Sequence, residues 1–278
     1  MLFPSTELAA RIERAEARLV ADCTRAAARR RPHLQTHVLA IAGGSATFAG
    51  PGSPLDKLAG LGFDGMVDET ELAAIEQAFA RHDVPLQVEL SCLADPSIGR
   101  MLTGRGYQLV GFENVLGRAL APDEPYPTDI DAVISTSGPD ELPVWLDTVV
   151  TGFAAPDAQG VASHEEFPRD ALEQAIGDMA EAEGFTRYLA RHGDAIAGGA
   201  SLRMFEGVAQ LCGAATLPAH RRRGVQTALL LVRLAEAARA GCDLAVVTTL
   251  PGSKSQHNVM RRGFALLYTR AILVREPR

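Results

Sequence analysis

The chain has 278 residues, 47% of them hydrophobic and 22% charged, which suits one large or two small globular domains with a sizeable core. Its formal net charge of -7 removes any overall electrostatic case for nucleic-acid binding, so basic clusters have to be read locally. No apolar run approaches the ~20 residues that span a bilayer, and the start, MLFPSTELAARIERAEARL, lacks the basic-then-apolar order of a signal peptide, so the expected location is cytoplasmic.

Residues 5–31 read as an amphipathic helix, with Ser5 as N-cap, Leu8, Ile12, Leu19 and Cys23 on one face, and Pro32 as stop. HVLAIAGG and ATFAG are short glycine-punctuated strands. DETELAAIEQAFARH is a helix, LQVELSCL a strand and PSIGRMLTGRGY a short helix stopped at Gly106, and YQLVGFENVLGRAL supplies further strand. APDEPYPTD, with three prolines and three carboxylates, is the expected linker between domains at 1–122 and 128–278. Beyond it come the strand IDAVIST, two helices, and three strand-like runs (TRYLARHG, AIAGGASLRM, VAQLCGAATL). A helix through Arg239, the buried-type strand DLAVVTTL, a short helix SKSQHNVMRR and the strand FALLYTRAILV complete the chain. The fold class is α/β in the mixed α+β sense.

The two halves echo each other. Residues 88–120 lie on 245–277 without a gap, which places Gly106-Tyr107 on Gly263-Phe264, Arg105 on Arg262 and Arg118 on Arg275. The same offset sets DGMVDE (64–69) against RRRGVQ (221–226), with Val67 opposite Gly224 and Asp64, Asp68 and Glu69 in place of arginines. A turn of that composition repels an anion. One half is then expected to bind phosphate and the other to be structural.

The segment HRRRGVQTALL begins at His220. A helix that starts near Gly224 exposes unpaired first-turn N–H groups and the positive end of its dipole, and glycine lets an anion come close. The arginines are auxiliary clamps. Arg233 is placed on a polar face with Gln226, Glu236 and Arg239, while Ala228, Leu229, Val232 and Ala235 face inward.

Arg221-Arg222-Arg223-Gly224-Val225-Gln226 resembles the acetyl-CoA motif of the GNAT superfamily of N-acetyltransferases, Arg/Gln-x-x-Gly-x-Gly/Ala; Gln226 departs from it. The flanking order of strands and helices and the RRGF stretch are also similar. The resemblance implies tandem GNAT-like halves, each a mostly antiparallel sheet flanked by helices, with a degenerate N-terminal half and a complete C-terminal half. It implies that the amides of Arg222 to Thr227 hold the pyrophosphate of acetyl-CoA. Ala215, Thr216 and Leu217 would accompany the pantetheine arm, the thioester would lie beside Ala214 to Thr216, and Asn258 would orient either. The resulting activity is transfer of an acetyl group to an amine of a small molecule or peptide, by a monomer or homodimer without membrane or nucleic-acid partners.

Acid and base are the weak point. The position of the family's frequent tyrosine holds Val259, and VAQLCGAAT offers Gln210 but no carboxylate. Ser255, Asn258 and Tyr268 are the candidate catalytic side chains, with His164, Glu165 and Glu166 as alternative bases and positioning alone as a further route. His220 and His257 read as surface residues. Cys23, Cys92, Cys212 and Cys242 lack metal spacing and read as small buried hydrophobes, so no metal is expected. A CoA-binding module without chemistry is the alternative. Nucleic-acid binding through Arg221–Arg223 and Arg29–Arg31 is a third, weaker one.

Overall fold

The computed structural model describes residues 2–127, 131–155, 159–163 and 166–277. The chain runs α1 (Thr6–Arg30), β1 (His37–Ile41), β2 (Gly44–Phe48), β3 (Lys57–Ala59), α2 (Glu69–Ala80), β4 (Leu86–Ser91), α3 (Pro96–Gly104) and β5 (Gln108–Ala119). It continues with β6 (Val133–Thr136), α4 (Leu142–Phe153), α5 (Arg169–Ala180), β7 (Phe185–His192), β8 (Ala195–Phe205) and β9 (Val208–Thr216). The last elements are α6 (Val225–Arg239), β10 (Leu244–Thr249), α7 (Lys254–Met260) and β11 (Ala265–Arg275). Local chemistry sets many of these ends. Ser5, Asp68, Asp95 and Ser253 accept first-turn backbone N–H groups of α1, α2, α3 and α7. Gly106, Gly241 and Gly263, beyond α3, α6 and α7, take positive φ.

The eleven strands among the described residues join one sheet, in the order β1-β2-β3-β4-β11-β5-β10-β9-β8-β7-β6. Neighbours are antiparallel except β3–β4 and β9–β10. The final strands of the two halves change places: β11 lies between β4 and β5, and β5 between β11 and β10. The repeat seen in the sequence is therefore built into the middle of the sheet.

Alternation along the strands divides the core. Helices α2, α3, α6 and α7 pack on one face, through side chains such as Leu58, Val88, Ala209 and Ala245. Helices α1, α4 and α5 cover the other, where Val208, Leu244 and Leu189 point. Beneath α1 that second face is charged. Glu13, Glu89, Arg203, Gln210 and Arg270 are each at most 3% exposed. Arg270 Nε donates to Glu13 at 2.8 Å, and Arg203 donates to Asp22 at 2.8 Å and to Gln210 at 2.6 Å. Cys92 is exposed, unlike the buried position expected for it; it lies just past β4, where the chain leaves the sheet. Among the described residues, no helix is long and apolar enough to cross a membrane.

Candidate active site

The sheet opens at one place near the basic motif. β9 and β10 pair only at Val208–Leu244, Ala209–Ala245 and Gln210–Val246. A bulge follows in β9, where the register against β8 shifts and Gly213 takes φ +48°. The strands then part. The cleft between them, about 190 Å³, has Leu211, Gly213 and Ala214 on one wall and Val247 and Thr248 on the other. Gln226, Thr227, Leu230 and Arg233 of α6, with Ser255, Asn258 and Val259 of α7 and Arg262 just beyond it, close it from one side, and Phe153 of α4 also lines it.

Helix α6 begins at the mouth of this cleft. Its N-cap Gly224 sits at φ +80°, a conformation strained for residues with a side chain, and makes no side-chain cap. A Cβ at Gly224 would meet nothing within 4 Å, so the space over the helix start is open. First-turn amides at 225–227 thus present unsatisfied donors and the positive dipole end to that space.

The three arginines have different roles. Arg221 is half-buried and donates to the carbonyls of Thr216 (3.4 Å) and Ala155, bracing the end of α4 against β9. Arg222, at φ +62°, and Arg223, 3.9 Å from Asp131, are exposed and near the helix start. His220 is stacked on His192, with Nδ1 atoms 3.2 Å apart. Val225 is buried, Ala215 packs beneath Gly152 of α4, and the amide of Leu217 donates to Ala197 at 3.0 Å.

Ser255 and Asn258 line the cleft together with Gln226 and Thr227. Asn258 Nδ2 donates to Gln226 Oε1, so the residue that departs from the family pattern is drawn sideways onto α7. Tyr268 is not brought to this group. It is 4% exposed on the α1 face, donates to Glu13 at 2.7 Å, and has its hydroxyl pKa raised far above the ordinary range, first by burial and then by the charge of Glu13. Strand alternation turned it inward, which corrects its assignment as a catalytic side chain. Gln210 also lies in that buried layer. Glu166 is exposed; His164 and Glu165 lie outside the described residues.

Arg233 was missed as a site residue. It is 3% exposed and lines the cleft, whereas its spacing from Gln226 and Arg239 suggested an outer polar face. No periodicity argument distinguishes an arginine turned toward a cleft from one turned toward water.

The first half has the same split, closed. β3 and β4 pair in parallel at three residues, and Phe63 then packs against the cores on both faces of the sheet. The N-cap of α2 is Asp68, whose carboxylate accepts from Thr70 N at 2.7 Å. Asp68, and not Val67, is the counterpart of Gly224: the two helix starts differ by one residue from the gapless register.

Residues 152–264 match the model of the Acetyltransferase (GNAT) family. This segment is a GNAT acetyltransferase domain. The solved structures agree in fold. A GCN5-related N-acetyltransferase from Kribbella flavida is 20% identical, with TM-score 0.61 over 94% of this chain and 95% of that one. A tandem GNAT protein from the clavulanic acid biosynthesis pathway, without AcCoA, is 15% identical, with TM-score 0.59 over 84% and 79%. A GCN5-related N-acetyltransferase from Sphaerobacter thermophilus is 17% identical, with TM-score 0.54 over 76% and 66%. No curated protein matches the chain in sequence.

Proposed function

We propose that the GNAT domain, within residues 128–278, transfers an acetyl group from acetyl-CoA to an amine, and that residues 1–122 complete its sheet through β5. The observation that carries this reading is the uncapped, open start of α6 at Gly224, set at the mouth of the cleft between the parted strands. The amides at 225–227 would hold the pyrophosphate, with Arg222 and Arg223 beside it. The pantetheine arm would pass down the β9 wall from Leu217 and Thr216, beside Ala215, toward Ala214. There the amine nitrogen bonds to the thioester carbon, the C–S bond breaks, and the amine's proton ends on the departing sulfur.

Val259 and Tyr268 give no acid at this point. Ser255 and Asn258 can orient groups at the cleft, and thiolate is a good enough leaving group for positioning to supply much of the rate. The acceptor is a small-molecule or peptide amine. A non-catalytic CoA-binding module is the second reading, favoured by Val259 standing where an acid is needed.

Calorimetric titration with acetyl-CoA tests binding, with Gly224→Asp as control. The expectation is one site in the wild type, and weakening of about a hundredfold or more in the variant, from backbone strain combined with charge repulsion. Unchanged binding by the variant refutes the site. Release of CoA across a panel of amines separates the enzyme from the binding module.

A further inference from the structure

Arg233 is a buried cation whose partners are incomplete. The other large buried arginines of the core are paired, Arg203 with Asp22 and Arg270 with Glu13. Arg233 has no carboxylate within ion-pair distance among the described residues. Nε donates to Leu229 O at 2.9 Å, and Nη1 to Ser201 O at 2.8 Å and Cys212 O at 3.4 Å. Nη2 has no hydrogen-bond partner among the described residues. Burial without a counter-charge pulls the guanidinium down to about 10. A buried positive charge is costly unless an anion or further acceptors meet it.

Its place in the cleft says what that anion would be. Gln226, Leu230 and Arg233 are successive turns of α6 on the cleft wall, and the seven steps from first to last cover about 10 Å. The facing wall runs from Ala214 through Gly213 to Leu211, toward the end where β9 and β10 close. With phosphates at Gly224 and a thioester at Ala214, Arg233 stands beyond the thioester, where the far end of the acyl group would lie. We infer that the deep end of the cleft takes acyl groups ending in a carboxylate, of the malonyl or succinyl kind, with Arg233 as the specificity-determining residue. This rests on the acyl-CoA reading above. The bond changes at the thioester carbon are the same, and the distal carboxylate stays intact, held by the free N–H groups of Arg233.

The test is equilibrium binding of matched thioesters to the full chain. Succinyl-CoA and butyryl-CoA share a four-carbon chain, as malonyl-CoA and propionyl-CoA share three, and differ in the carboxylate. At least one carboxylated member should bind about tenfold or more tighter than its neutral match. Arg233→Met should erase that preference, each carboxylated thioester then binding within about twofold of its neutral match. No preference in either pair in the wild type overturns the inference, whatever the folding of the variant. So does a folded Arg233→Met protein that keeps the preference. Failure of CoA and all four thioesters to bind overturns the acyl-CoA reading as well, which separates the two.

Discussion

Glu113 of β5 and Arg270 of β11 face each other, and the pairs on either side of them repeat in reversed order. Thr269–Asn114 is answered by Ala271–Phe112, Tyr268–Val115 by Ile272–Gly111, and Ala265–Gly117 by Val274–Gln108. Under the overlay of 88–120 on 245–277, each pair maps onto its partner, and Glu113 maps onto Arg270. The two positions therefore lie on an approximate twofold axis through the sheet. Even the irregularities match: the register skips Leu267 on β11 and Val110 on β5. Identical charged residues on such an axis would repel each other. Here an acidic and a basic side chain occupy it, 3.9 Å apart, inside the charged layer beneath α1.

Stability should carry a pH signature of this layer. Burial, then the charge of Glu89, raises the Glu113 carboxyl to about 7, against the pull of Lys57 and Arg270. A folded pKa above the unfolded one means that the native state binds the proton more tightly. Stability from this group is present at low pH and falls as pH rises from about 4.5 to 7. Asp56 is raised to about 7 as well, so the comparison must be a difference. Glu113→Gln should gain melting temperature relative to wild type progressively between pH 5 and pH 8. Parallel curves for the two proteins would show that Glu113 is not held protonated.

Tyr268 separates structure from catalysis. Tyr268→Phe removes a hydrogen bond to a buried carboxylate, Glu13, whose Oε1 accepts from both Tyr268 and Arg270 and whose Oε2 has no partner among the described residues. The expected loss is about 1.5–3 kcal/mol of stability, read by denaturant unfolding. The pH profile of acyl transfer should stay in place, because the hydroxyl is turned to α1 and away from the cleft. A profile that loses its basic limb would return Tyr268 to the role of acid.

Most of the elements were legible because their signals are local. Ser5, Asp68, Asp95 and Ser253 mark helix starts, Gly106, Gly241 and Gly263 mark stops, and alternation marks strands. Strand β3 was missed: its three residues, Lys57, Leu58 and Ala59, are too few to show a period. The exchange of β5 and β11 was illegible for another reason. Pairing is a long-range choice, and each strand carries the same alternation whichever neighbour it takes. Gly224 was legible as a helix start, whereas the place of Arg233 and the Gln226–Asn258 contact depend on how α6 and α7 rotate against the sheet. Gln226 departs from the family motif, and its bond to Asn258 points the amide toward α7.

That bond should be measurable as a coupling. Gln226→Ala and Asn258→Ala each free one amide at the cleft wall, and the double variant frees both. Unfolding free energies for the four proteins should show an interaction energy of about 0.5–1.5 kcal/mol, the net value of one hydrogen bond partly shielded from water. Strict additivity would mean that the two side chains do not meet in the folded protein.

The tandem architecture predicts one acyl-CoA per chain rather than two. In the first half Phe63 fills the split beside β4, and Asp68 both satisfies a first-turn N–H of α2 and sets a carboxylate where phosphate would need to sit. The carboxylate is exposed, and its hydrogen bonds to Thr70 lower its pKa, so it remains charged throughout the neutral range. Calorimetric titration of wild type should give a stoichiometry near one, and Gly224→Asp should take it toward zero rather than uncover a second site. Asp68→Gly removes the charge and the cap but leaves Phe63 in place. It should therefore lower stability only slightly, because glycine is itself a tolerated N-cap, and leave the stoichiometry at one. A stoichiometry of two in either protein would mean that Phe63 swings aside and that both halves are competent.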